Sequence, residues 1–336
     1  MQYQRGDKIS DPIVIEVENV KKNFTTFTHI NKGFLSVLRR KKKITKALKG
    51  VNFTIKKGEI VALLGKNGSG KSTMLKILTG ILYPDSGNVN VLGVNPSIER
   101  RKISERIGVM FGSQHLQLSW NLPPMDTFIF MKEIYGIPEK VFEKRLKYFI
   151  KILNLKQVYL KPTRQLSLGE RMKCELVAAS LHQPEIIFLD EPTVGVDLPS
   201  RNAIKEAISK MREDSGTTII ITTHVVEDIT EVDRIIMFDK GNKLFDGNQE
   251  ILKKRFGKNA NVIINSKKAN ELKKLFEKYG HIRSKGDNYL KLKVKTSVLS
   301  DRKFMQLLNN KDIVDFRISD ESLTDLLNAL YKTSGD

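Results

Sequence analysis

The chain has 336 residues, 29% charged and 40% hydrophobic, and 58 Lys and Arg against 38 Asp and Glu leave a net charge of +20. That length suggests two or three domains, and no apolar run approaches the roughly 18–20 residues of a membrane span. The first residues lack the apolar stretch of a secretory leader, and the single cysteine, Cys174, excludes an internal disulfide, so a reducing compartment, the cytosol, is expected.

Residues 13–20, Ile-Val-Ile-Glu-Val-Glu-Asn-Val, read as a first strand. Residues 21–57 then hold twelve Lys or Arg and no Asp or Glu, so more than half of the net charge sits in about a ninth of the chain. The densest part, Arg39–Lys43, directly follows Phe34–Leu38, a pairing that predicts a short interfacial helix on anionic lipid headgroups. Nucleic acid is the competing anion, though aromatic residues for stacking are sparse here. A solvated charged loop is the third reading.

Val51, Phe53 and Ile55 alternate with polar neighbours, as do Val89 and Val91, the pattern of half-buried strands. Ile60–Leu64, Ile186–Leu189, Thr218–Thr222 and Ile235–Phe238 are instead continuous apolar runs, as in parallel strands covered on both faces. Helical patterns separate several of them, as βαβ units require. From about 115 to 180 strands are lacking and Val141, Leu146, Phe149, Ile150 and Leu153 keep helical spacing, so this stretch reads as a helical insertion. After Phe256-Gly257, short strands at 261–264, 289–294 and 313–318 alternate with helices at 267–279, 297–309 and 321–332. That alternation suggests a small α+β domain of the ferredoxin-like kind.

Four clusters carry chemistry. Gly65-Lys66-Asn67-Gly68-Ser69-Gly70-Lys71-Ser72-Thr73 lies between a buried strand and a helix, the setting in which glycine-rich backbone amides and a helix N-terminus converge on phosphate. There Lys71 can reach the β- and γ-phosphates of a nucleoside triphosphate, and the Ser72 hydroxyl can ligate Mg²⁺. The strand Ile186–Leu189 ends in Asp190-Glu191; Asp190 is placed to hold Mg²⁺ and Glu191 to accept the proton of an attacking water. His224 follows the strand Thr218–Thr222, at the sheet edge where ligands bind in open α/β folds. Leu166-Ser167-Leu168-Gly169-Glu170 precedes a helix; Ser167 reads as its N-cap and Glu170 as the other half of a capping box, and the same helix start is a candidate anion site.

In this order, with Asp197 in Gly195-Val196-Asp197, these segments over about residues 13–256 resemble the ATPase subunit of ATP-binding cassette (ABC) transporters. The resemblance implies an α/β P-loop nucleotide-binding domain with a parallel core sheet, an antiparallel β subdomain and a helical insertion, followed here by the small α+β domain at 258–334. It places a basic insertion at about 25–46 and the helical one at about 115–180. Leu166–Glu170 is similar to the family signature Leu-Ser-Gly-Gly-Gln. In that family two subunits pair head to tail, each ATP held between one phosphate loop and the other subunit's signature. Carried over, Gly65, Asn67, Gly68, Gly70, Lys71, Ser72 and Thr73 would hold ATP that the partner's signature Ser and Gly, the counterparts of Ser167 and Gly169, also contact. Asp190 would serve Mg²⁺ with Ser72, Glu191 would be the general base, His224 the γ-phosphate switch, and Asp197 part of the loop communicating across the dimer. Phe24 matches the residue stacking on adenine, and Gln114 the glutamine that senses Mg²⁺ and the membrane partner, with Gln117 as runner-up.

Leu168 and Glu170 depart from the signature's Gly and Gln. The basic insertion, the Leu-Ser-Leu-Gly run and Ser-Trp-Asn-Leu-Pro at 119–123 resemble a branch paired with separate six-span exporter permeases. The expected partners are therefore a transmembrane permease, a second copy of the chain and an anionic membrane surface rather than nucleic acid, at the cytoplasmic face of the membrane. An ABC ATPase acting on ribosomes or DNA, and an importer ATPase, are the alternatives.

Overall fold

The structure, a computed structural model, describes residues 12–29, 40–112, 117–286 and 288–333. It divides into two compact units, Met1–Asp246 and Gly247–Asp336.

In the first unit β1 (Ile13–His29) and β2 (Arg40–Lys56) form a long hairpin, followed by β3 (Ile60–Leu64), α1 (Lys71–Leu78), β4 (Ser86–Val91), α2 (Arg100–Ser104) and β5 (Ile107–Met110). Three helices come next, α3 (Pro124–Ile134), α4 (Glu139–Ile152) and α5 (Leu168–Ser180), and then β6 (Ile186–Asp190), α6 (Leu198–Ser215), β7 (Thr218–Thr223), β8 (Arg234–Asp239) and β9 (Asn242–Gly247). The central sheet has the order β5-β6-β7-β3-β8-β9, parallel from β5 to β8. A separate antiparallel sheet has the order β2-β1-β4.

The continuous apolar strands are explained by where alternate side chains go. Ile186 and Phe188 of β6 join a core formed with α1 and the antiparallel sheet, while Ile187 and Leu189 join the core of α3, α4, α5 and α6. Period-two alternation thus sends half of each strand into each layer, and no face is left for polar residues. The helical insertion is these three helices between β5 and β6, and the amphipathic α4 buries Phe142, Leu146 and Phe149.

The basic stretch differs from the expected interfacial helix. Arg40–Lys43 lie in β2, paired with Thr26–His29 of β1, and Phe34–Arg39 lie outside the described residues. Thr25, Thr26, Phe27 and Thr28 have high strand propensity, and the ladder they provide sets the conformation of the lysine run. β5 and β9 were not marked by the hydrophobic pattern; β5 has four residues, one of them Gly108.

In the second unit α7 (Gln249–Phe256) packs with the C-terminal helix, so the division falls at Asp246/Gly247, ahead of the expected break near 257. The remaining elements are β10 (Asn259–Asn265), α8 (Ala269–Phe276), β11 (Gly280–Gly286), β12 (Tyr289–Lys295), α9 (Arg302–Leu308), β13 (Asp315–Asp320) and α10 (Leu323–Thr333). The sheet order is β11-β12-β10-β13, all antiparallel, the split βαβ arrangement of ferredoxin-like folds. Val262, Ile264, Phe276, Leu292 and Phe304 form its core.

His182 closes the turn between α5 and β6. Its ring stacks on Tyr135, with centroids 3.9 Å apart, and its Nε2 donates to the Ile107 carbonyl of β5 at 3.0 Å. Nδ1 has no hydrogen-bond partner among the described residues. Burial pushes the imidazole down to about 4. The neutral ring therefore contributes stability that is complete above the ordinary histidine value of about 6.5 and is lost as pH falls through about 4, roughly 3 kcal/mol over that window. Urea unfolding at stepped pH checks this: His182→Gln should flatten the acid-side decline, whereas parallel profiles for the two proteins would contradict it.

Candidate functional site

β3 delivers the chain into the loop Gly65–Gly70, and α1 begins at Lys71. The loop folds on itself through Ser69 N–H donating to Lys66 O at 3.1 Å, and Gly241 N–H donates to Ser69 O at 3.0 Å. Gly70, at φ 114°, is a turn only glycine can make, because a Cβ there would lie 2.7 Å from the Ala47 carbonyl oxygen. The Lys71 side chain curls under the loop, its Nζ donating to Gly65 O at 2.7 Å and Lys66 O at 3.2 Å. Burial lowers its pKa, while the Glu191 and Asp190 carboxylates push it back up. A cation parked on loop carbonyls beside two carboxylates is available to an incoming polyphosphate.

Asp190 ends β6. Its Oδ1 accepts from Ser72 Oγ at 3.1 Å and from the Thr222 hydroxyl of β7. Glu191 stands just beyond the strand at φ 50°, unusual for a residue with a Cβ and typical of positions held for function. Its amide donates to Thr222 O at 3.0 Å and lies 3.1 Å from Thr222 Oγ1. Glu191 Oε1 lies 3.0 Å from His224 Nδ1. One threonine therefore sets both acids. Sequence reasoning passed over Thr222, for which the only signal was its place at the end of a buried strand ahead of His224.

A cavity of about 540 Å³ opens over these groups. Its walls include Phe24, Asn67, Gly68, Gly70, Lys71, Ser72, Thr73, Gly112, Asp190 and Glu191. Gly65 is not part of the lining; a Cβ there would clash with Ser69 Oγ and with the Phe238 carbonyl oxygen. The half-exposed Phe24 ring has the Lys22 ammonium 5.9 Å from its centre.

The signature segment is elsewhere. Ser167 caps α5 with its Oγ accepting from Glu170 N–H at 3.2 Å, and Glu170 Oε2 accepts from Ser167 N–H at 2.8 Å, so the capping box is complete. Gly169 packs against the start of α6, where a Cβ would lie 2.5 Å from Asp197 Oδ2 and from Ser200 Oγ. Asp197 in turn caps α6, accepting from Ser200 N–H at 2.9 Å, and the Ser200 amide and hydroxyl hold its carboxyl below the usual range. The exposed Ser167 and Asp197 flank the buried Gly169 where the starts of α5 and α6 meet, and none of the three lines the cavity. Within one chain the cavity is thus lined by the phosphate loop, Asp190 and Glu191 and not by the Ser167–Glu170 segment.

Gln114 lies outside the described residues. The Gln117 side chain is turned back to β5, with Nε2 donating to Val109 O at 2.6 Å. Its backbone N–H donates to Glu175 on α5 at 3.1 Å, a contact nothing in the sequence pattern marked.

The ABC transporter family profile matches residues 48–194. Among curated relatives, the ABC transporter ATP-binding protein NatA of Bacillus subtilis is 32% identical over 213 residues, 63% of this chain and 86% of that one. The linearmycin resistance ATP-binding protein LnrL of the same organism is 34% identical over 211 residues, 62% of this chain and 67% of that one. The energy-coupling factor transporter ATP-binding protein EcfA1 of Caldanaerobacter subterraneus is 31% identical over 202 residues, 60% and 73% of the two chains. Among solved structures, the dimeric post-hydrolysis state of the ATP-binding cassette MJ0796 bound to ADP and Pi is 26% identical, with a TM-score of 0.58 over 70% of this chain and 98% of that one.

Proposed function

We propose, from the premise that this chain belongs to the ABC transporter ATP-binding proteins and is an ATPase of that family, that two copies close head to tail on two MgATP and drive a separate exporter permease. The observation that supports the dimer is the half-built cavity: the capped start of α5, with Ser167 exposed and Gly169 behind it, is absent from the cavity's lining, so in this reading each would reach the γ-phosphate of ATP in the other copy.

In this reading the loop amides and the α1 N-terminus take the phosphates, and Phe24 stacks on adenine. Lys71 leaves its loop carbonyls for the β- and γ-phosphate oxygens. Ser72 and Asp190, already 3.1 Å apart, fit Mg²⁺, which keeps several waters and takes one or two protein oxygens beside the phosphates. Glu191 receives the proton of the water attacking the γ-phosphorus in line, and His224, bonded to the same carboxylate, holds it in place. Gln114 senses Mg²⁺ and the permease, and Asp197 passes the state of one site to the other.

For the permease, α3 offers Ile129, Phe130 and Ile134 on its exposed face, with Trp120 and Leu122 exposed just before it. Among the described residues no helix is long and apolar enough to cross a membrane. LnrL is named for resistance to linearmycin, which favours export, and the place of work is the cytoplasmic face of the membrane. The basic hairpin is a separate candidate contact: β2 is an edge strand with Lys42, Lys43 and Lys46 exposed, suited to anionic headgroups.

Glu191→Gln should lower turnover by about a hundredfold or more while ATP affinity is kept, the loss a general base supplies; near-normal hydrolysis would remove Glu191 from that role. Lys71→Ala should instead weaken ATP binding, read by equilibrium dialysis. In flotation, the chain should rise with anionic vesicles at low salt and be released at high salt, since surface attraction is screened. Failure to bind vesicles at any salt would dispose of the lipid contact.

A further inference from the structure

A second cavity of the first unit, about 730 Å³, is larger than the nucleotide cavity and shares no lining residue with it. It lies between α4, the end of α5 with the turn that follows, and the C-terminal end of α6. Such a volume is typical of small-ligand sites. Nothing in the ATPase chemistry uses it.

The sequence of α4 sets its character. Lys140 and Lys144 recur at a four-residue step, as do Val141, Arg145 and Phe149, so neighbouring rows of one helix carry cationic heads and apolar bodies. All five line the cavity. Phe149, Pro184 and Met211 supply the buried apolar part of the lining.

Charge in the cavity is unbalanced. Lys140, Lys144 and Arg145 stand against a single lining carboxylate, Asp214, and the Tyr148 hydroxyl already donates to its Oδ2 at 2.6 Å. Among the described residues no ion pair joins the three cations to a carboxylate. The half-buried Arg145 donates instead to neutral oxygens, Leu181 O through Nη1 and Gln183 Oε1 through Nη2, each at 2.7 Å. Burial lowers its pKa, and its charge helps hold the neighbouring His182 imidazole down as well. A guanidinium has five N–H donors, so three remain for a ligand without release of Leu181 or Gln183. A partly desolvated cation with neutral partners favours an incoming anion, and the apolar lining beside it favours a hydrocarbon body.

We propose that this cavity is a binding site for a carboxylate with an apolar body, its head held by Arg145 and Lys144 and its body lying against Phe149, Pro184 and Met211. The site goes beyond the ATPase reading and does not depend on it, since it needs neither Lys71 nor Glu191.

Calorimetric titration of the full chain with decanoate, below the concentration at which it forms micelles, tests the site. One decanoate should bind per chain, and octanoate should bind about tenfold more weakly because two fewer methylenes are buried. Decyltrimethylammonium, the same body with the opposite charge, should not bind. Arg145→Gln should weaken decanoate about tenfold or more, the loss of a charge-assisted contact. Should that variant not fold, Lys144→Glu, on an exposed side chain, should weaken it by a similar factor. Saturating MgATP should not displace decanoate, which distinguishes this site from the nucleotide cavity. Absence of saturable binding, equal binding of the cation, displacement by MgATP, or unchanged affinity in the folded variants overturns the proposal.

Discussion

The Asp190 carboxylate joins three elements that would otherwise meet only as neighbours. It ends β6, accepts from Ser72 at the start of α1, and accepts from Thr222 at the end of β7. The parallel register pairs Asp190 with Thr222 and Leu64 with Thr223, which brings the three strand ends level. A one-residue slip would turn Asp190 into the core and Leu189 toward the phosphate loop, so register and chemistry are one constraint. Thr222 also faces the Glu191 amide, which helps hold that residue at its unusual φ beside His224. The apolar layers on both faces of the sheet stabilise this arrangement without touching the ligand.

Much of this was legible in the residues because the chemistry restricts them. Few loops other than a phosphate loop place Gly70, Lys71 and Ser72 between a buried strand and a helix, and the capping box at Ser167 and Glu170 was written as Ser followed three residues later by Glu. What was not legible depends on pairing or long-range contact. β11 is a polar edge strand, His281 to Lys285, with no hydrophobic signal of its own. The lysines of β2 form a strand because β1 supplies the ladder, a partner whose influence local charge does not register. Thr222 and Glu175 are ordinary in sequence, and their roles come from backbone groups 31 and 57 or more residues away.

Division of the site has a physical logic. A phosphate loop with its lysine resting on its own carbonyls is stable without ligand, and a capped helix start is stable without anion. Neither half needs the other to fold, so assembly of the complete site can follow ATP rather than precede it. In the proposed dimer this would make closure a consequence of binding, the condition under which a ligand shifts an equilibrium between two states.

The claim that two copies share each ATP is tested most directly by sedimentation of Glu191→Gln protein with and without MgATP. The account predicts a shift to twice the chain mass with nucleotide, reversed on chelating Mg²⁺ and abolished by adding Ser167→Arg. A single-chain mass at saturating MgATP, or dimerisation undisturbed by Ser167→Arg, would contradict it.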